Sequence, residues 1–218
     1  LQLLKDRGMN AVRLRVWVNP SNHKIDGHCS KEETVAMAVR AQKMGMRIMI
    51  NFHYSDSWAD PSKQNKPLAW ANHMVAQLKQ DVYNHTLEVL TALKQAGVTP
   101  EWVQVGNEIP GGMLWPEGST NNWNQLAQFL NSGYDAVKAV DPKIKVVVHV
   151  DEGNNNAKFR VFFDNATAQN VKYDIIGLSY YPYWIKKEYT ETIADLTANL
   201  NDMVARYNKD VMVVEVGG

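Results

Sequence analysis

With 218 residues, and 23 Lys and Arg balanced against 23 Asp and Glu, the chain can bury one sizeable core but has no net charge with which to grip nucleic acid or an anionic membrane. Its single cysteine, Cys29, excludes an intrachain disulfide, and no apolar run approaches the roughly 18 residues of a membrane helix. A neutral substrate is expected.

The chain opens on a short helix that Gly8 closes, and a first apolar run follows over residues 10–18. His23, Asp26, His28 and Cys29 then cluster in a loop, but their spacing matches no zinc framework, so no metal site is expected. Ser30 with Glu33 makes a capping box for a helix ending near Gly45, and a second apolar run covers 46–53. Pro67 is expected to open one long amphipathic helix reaching Gly97, before a third run at 102–108. A helix is predicted over 123–140, stopped by Asp141 and Pro142. Further runs lie at 144–151, 173–181 and 211–215.

Strands alternating with helices in this way predict an α/β fold with a parallel sheet. The strand ends decide between an open sheet and a barrel. Arg15 and Trp17, His53 and Asp56, Asn107 and Glu108, His149 and Asp151, Tyr181, and Glu215 close successive runs, and a site drawn from many consecutive strand ends is the habit of a (β/α)8 TIM barrel. No Gly-rich phosphate loop follows the first strand. Such a barrel takes about 250 residues, so residues 1–218 are read as one catalytic domain showing strands two to seven, with the first and last absent.

On that count Glu108 ends the fourth strand and Glu215 the seventh. Two carboxyls facing each other across a narrow mouth suit retaining glycoside hydrolysis, which needs an acid/base and a nucleophile about 5–5.5 Å apart. Asn107 would hydrogen-bond a sugar 2-hydroxyl, Arg15 would hold the nucleophile by opposite charge, and Tyr181 would donate to it. Arg15 could instead simply pair with an interior carboxylate, as could Arg13 one layer deeper. Tyr181 is preferred to Tyr180 because it shares a face with Gly177 and Ser179. Loop aromatics Trp58, Trp115 and Trp184 would stack on sugar rings, with core or rim packing as the competing reading. Asp151 and Glu152 form a rival pair, but neighbours on a continuing strand point to opposite faces.

Three stretches carry a resemblance. Residues 51–61 (NFHYSDSWADP), 106–116 (GNEIPGGMLWP) and 179–184 (SYYPYW), supported by 12–20 (VRLRVWVNP), resemble glycoside hydrolase family 53, the arabinogalactan endo-β-1,4-galactanases. The resemblance runs over essentially the whole chain. It implies Glu108 as acid/base and Glu215 as nucleophile, a β-1,4-galactan substrate, no cofactor, a monomer, and a secreted or cell-surface location. The chain departs from the family pattern at Asn51, where Asp is expected, and at Val216–Gly217 after the nucleophile. The alternatives are a related enzyme acting on mannan or glucan, and an inactive carbohydrate-binding barrel. A metal hydrolase would need several His and Asp ligands across strands, and an aldolase a lysine at an interior strand end; Lys145 begins a strand instead, and no interior lysine ends one.

Overall fold

In the computed structural model, which describes residues 1–21 and 27–217, six parallel strands lie side by side in chain order. They are β1 (Ala11–Val16), β2 (Arg47–Phe52), β3 (Trp102–Val105), β4 (Lys145–Val150), β5 (Ile175–Tyr180) and β6 (Asp210–Val216). Arg13 on the first strand reaches Glu215 on the sixth, so the sheet is curled as in a (β/α)8 barrel. β1 and β6 border this sheet and are more exposed than the strands between them.

Helices return the chain on the outside: α1 (Gln2–Asp6), α2 (Lys31–Lys43), α3 (Val75–Gln95), α4 (Trp123–Val140), α5 (Asn156–Ala168), α6 (Pro182–Ile185) and α7 (Tyr189–Tyr207). Ser30 and Glu33 form the expected reciprocal capping box on α2, satisfying backbone donors that the first helical turn leaves unpaired. The helix expected from Pro67 is corrected. Residues Leu68–Trp70 make only a 3-10 turn, which Asp56 holds by accepting the Leu68 N–H, and the continuous helix starts at Val75.

The sheet's two faces differ. Outward residues such as Ile50, Phe52, Val103, Val105, Val146 and Val148 pack against helix residues including Leu78, Val89, Leu126, Phe129 and Phe163, all almost fully buried. Side chains of this size contribute roughly 1.5–3 kcal/mol each on burial, so this layer carries most of the stability. Gly133 lets α4 close onto the sheet: a Cβ there would stand 2.6 Å from a Val105 methyl.

Inside the barrel the apolar cluster is small. Met49, Val147 and Ile175, joined by Trp102, Met212 and Val214, form a floor. Above it the buried side chains turn polar: Asn51, His53, Gln104, Asn107, His149 and Ser179. Beyond β2, β3 and β4 the chain turns through left-handed residues, Tyr54 (φ 51°), Glu108 (φ 44°) and Glu152 (φ 54°). Non-glycine residues there store strain, and such strain gathers at functional sites.

Candidate active site

Strand alternation that places Met212 and Val214 in the barrel floor would point Glu215 outward. A β-bulge prevents this. Leu178 pairs with Val213 but the next residue, Ser179, pairs with Glu215, so Val214 is the extra residue and Glu215 regains the inner face. There it forms an ion pair with Arg13, Nη1 to Oε1 at 2.7 Å, and accepts a hydrogen bond from the Tyr181 hydroxyl at 3.1 Å. Burial, followed by the carboxylate's charge and this hydrogen bond, pushes the Tyr181 phenol up to about 12.

Glu108 reaches the mouth through a sharper device. Gly106 (φ 83°) turns the chain off β3, and the Gln64 amide clamps the next two carbonyls, of Asn107 at 2.8 Å and Glu108 at 3.0 Å. The Glu108 carboxyl accepts the Ser179 hydroxyl at 2.6 Å. Burial raises its pKa to about 7; the Ser179 hydrogen bond and Arg13 oppose this, while the charges of Glu215 and Asp151 add to it.

Between and below the glutamates, polar groups interlock. Arg13 donates through Nε and Nη2 to the Gln104 carbonyl oxygen at 3.0 and 2.9 Å, and through Nη2 to Asn107 Oδ1 at 2.8 Å. Asn51 donates to the same Asn107 oxygen at 3.0 Å. Gln104 Nε2 faces His149 Nδ1 at 3.0 Å, and His149 Nε2 faces Ser179 Oγ at 2.7 Å. A buried polar network of this kind fixes geometry when every member is satisfied.

Glu108 and Glu215 line one cavity of about 950 Å³, with Trp58, Tyr181, Trp184, Asp151 and Glu152 among its walls. Trp184 is 73% exposed and Trp58 45%, so both offer open ring faces. Asp151 and Glu152 both reach the cavity, because β4 ends at Val150 and alternation stops; Lys158 pairs with them at 2.8 and 3.1 Å.

Several expected ligands have other positions. Arg15 is not the partner of Glu215: its guanidinium lies 4.1 Å from the Trp58 ring centre, and the deeper, long-reaching Arg13 takes the ion pair. Asp56 spends both carboxylate oxygens on the loop amides of Asn19 and Leu68. Asn107 is buried, its oxygen already accepting from Arg13, Asn51 and Gln104, and its nitrogen donating to the Ala59 carbonyl at 2.8 Å. His53 is buried edge-on against Trp17 and Trp58, accepts the Ala59 N–H at 3.1 Å, and is driven by burial to a pKa of about 3. His149 is fully buried and supports Glu108 from below. Trp115 packs on Gly111, donating Nε1–H to its carbonyl at 2.9 Å, and is not part of the cavity wall.

Sequence reasoning passed over Gln104, although a glutamine inside the otherwise apolar strand Trp102–Val105 was a visible anomaly. Gln64 left no such signal, since its role depends on loop geometry. Of the loop cluster weighed as metal ligands, His23 and Asp26 lie outside the described residues. Among the described residues no group of three or more His, Cys, Asp or Glu could hold a metal. No described helix is long and apolar enough to cross a membrane.

A curled parallel α/β sheet with two glutamates in unlike environments lining one cavity is an arrangement suited to glycoside hydrolysis. The glycosyl hydrolase family 53 model matches residues 1–218, and the chain belongs to that family. It is 44% identical over 223 residues to an uncharacterised protein of Niallia circulans, covering 99% of this chain and 58% of that protein. It is 38% identical over 219 residues to the arabinogalactan endo-β-1,4-galactanase of Humicola insolens, covering 98% and 64%. The solved GH53 catalytic domain of Ignisphaera aggregans superposes with a TM-score of 0.90 at 38% identity, over 99% of this chain and 59% of that one. The chain thus spans about three fifths of the length of these relatives.

Proposed function

We propose that the protein to which this chain belongs is a retaining endo-β-1,4-galactanase, with Glu215 as nucleophile and Glu108 as acid/base. One observation carries the assignment of roles: the two carboxyls share a cavity but not an environment. Glu215 is ion-paired with the Arg13 guanidinium and accepts the Tyr181 hydroxyl, whereas Glu108 is held protonated to near neutrality by burial.

In the first step a Glu215 oxygen attacks the anomeric carbon while Glu108 passes its proton to the leaving glycosidic oxygen; the C–O bond breaks and a glycosyl ester forms. In the second, Glu108, now ionised, takes a proton from water as the water oxygen attacks the same carbon and the ester to Glu215 breaks. Arg13 and Tyr181 orient the attacking carboxylate and take back its charge when it leaves. Trp58 and Trp184 would stack on sugars flanking the bond, with Arg15 backing the Trp58 ring. A contact from Asn107 to the 2-hydroxyl would come from the second hydrogen of Nδ2.

Galactan is inferred from relatives described as arabinogalactan endo-β-1,4-galactanases at 36–38% identity. A secreted monomer acting on pectic galactan, without cofactor or metal, completes the reading. A reducing-sugar assay on unbranched galactan, mannan, cellulose and xylan, using a chain that also supplies the remaining barrel strands, tests it. Early release of oligomers from galactan is expected; release from mannan or cellulose with none from galactan would refute the substrate.

A further inference from the structure

We propose that Gln104, which makes no hydrogen bond to either glutamate, is a positioning residue for Glu108, acting through a directed hydrogen-bond relay that runs Arg13–Gln104–His149–Ser179–Glu108. The proposal deepens the reading of Glu108 as acid/base and rests on it.

The direction of every link follows from what each atom can do. Arg13 has only donors, and two of them point at one Gln104 side-chain atom, so that atom is the carbonyl oxygen. The amide nitrogen therefore faces the other way, where its two hydrogens are shared among Asn51 Oδ1 at 2.7 Å, the Gly106 carbonyl at 2.8 Å, His149 Nδ1 at 3.0 Å and Asn107 Oδ1 at 3.2 Å. The backbone N–H of Glu108, 3.3 Å from the same Nδ1, is likewise a donor. Two donors on Nδ1 leave it no proton, so the neutral, fully buried ring carries its hydrogen on Nε2. That hydrogen meets Ser179 Oγ at 2.7 Å, and the one hydrogen of Ser179 is left to point at Glu108 Oε1, 2.6 Å away. Arg13, at the head of the relay, also holds Glu215.

A hydroxyl locked as donor stabilises the ionised form of Glu108 against burial. The carboxyl is also faced by Arg13 from β1, Glu215 from β6, Tyr181 beyond β5 and Asp151 beyond β4, the last paired with Lys158 of α5; Arg13 and His53 face the His149 ring. These charges act whichever way Ser179 points. The relay adds the part that depends on orientation, and Gln104 shares the selection of that orientation with the backbone N–H of Glu108.

The test reads the resting protein by NMR on the full chain: nitrogen shifts of the His149 ring, and the carboxyl-carbon titration of Glu108. The wild type is expected to show the Nε2–H tautomer, uncharged from about pH 5 to about pH 8. Ser179→Ala should raise the Glu108 titration by about one pH unit. In Gln104→Glu the new carboxylate still accepts from Arg13 but cannot donate to His149. The ring proton should then move to Nδ1 to meet the new carboxylate, displacing the longer 3.3 Å bond from the Glu108 N–H; Ser179 should turn its hydrogen to Nε2, and Glu108 should rise by a similar amount. The double variant should rise no further than either single one. A wild-type Nδ1–H tautomer, a charged His149, or shifts that add in the double variant would overturn the relay, the last by showing a through-space charge effect. The wild-type tautomer decides even if a variant does not fold. Should the carboxyl titration move while the basic limb of kcat/KM stays put, the relay stands and the acid/base role of Glu108 fails instead.

Discussion

Ser179 sits opposite Glu215 across the β5–β6 ladder, one residue out of the register set by Leu178 and Val213. That single slip joins two jobs. Ser179 faces inward to hold Glu108, and Glu215 is turned inward beside it to face the same cavity. The regular part of the strand remains free to build the floor through Met212 and Val214.

Exchanging the two inward arginines of β1 separates anchoring from stacking. Arg13→Met leaves Glu215, Gln104 and Asn107 without their shared donor, and breaking a partly buried pair of this kind costs about 3–5 kcal/mol. Arg15→Met loses ring contacts worth about 0.5–2 kcal/mol together with the Arg15 contact to Cys29. Urea unfolding should rank Arg13→Met as the more damaging; the reverse order would show that the ion pair is dispensable.

The pH dependence of turnover follows from Glu108. Its pKa near 7 means the proton needed by the leaving group is present below that pH and lost above it. The basic limb of kcat/KM should therefore bend near pH 7 and fall about tenfold per unit beyond. A limb that bends only above about pH 9 would assign the acid to another group.

Stability should carry the opposite imprint of the same group. Because folding raises the Glu108 pKa from 4.5 to about 7, the native state holds a proton there that the unfolded chain has released, so stability falls as pH climbs through that window. Glu108→Gln removes the loss. Its Tm should exceed the wild type's at about pH 8 and converge with it toward about pH 4.5; a variant that is less stable at both would mean the carboxylate is well accommodated.

The exposed rings make a fourth comparison. Trp184→Ala should raise KM for polysaccharide by about three- to tenfold while sparing a small aryl glycoside, since its exposed ring lines the cavity. Trp115→Ala should lower Tm instead, because its indole is already bonded to Gly111. Equal kinetic loss in both would place Trp115 on the substrate.

Much of this was legible in the chain. Strand–helix alternation, the Ser30 capping box and polar residues closing successive strands led to the barrel, because each depends on local pattern alone. What stayed hidden depends on register or reach. Alternation along β6 argues against an inward Glu215, and only the bulge reverses it. Arg13 and Arg15 share a face, so parity could not choose between them; the depth from which a long side chain can span the barrel did. The interlocking of Asn107 is invisible in the chain because the partners that occupy its side chain come from β1, β2 and a loop distant in sequence.

The assignment of the glutamates is tested most directly by proton NMR of the products formed from an activated β-glycoside in the presence of azide. In Glu215→Ala no glycosyl ester can form, so azide attacks the substrate once and inverts it, giving the α-azide. In Glu108→Ala the ester still forms from a leaving group that needs no proton, and azide displaces Glu215 in a second inversion, giving the β-azide. A β-azide from the Glu215 variant together with an α-azide from the Glu108 variant would contradict the account and exchange the two roles.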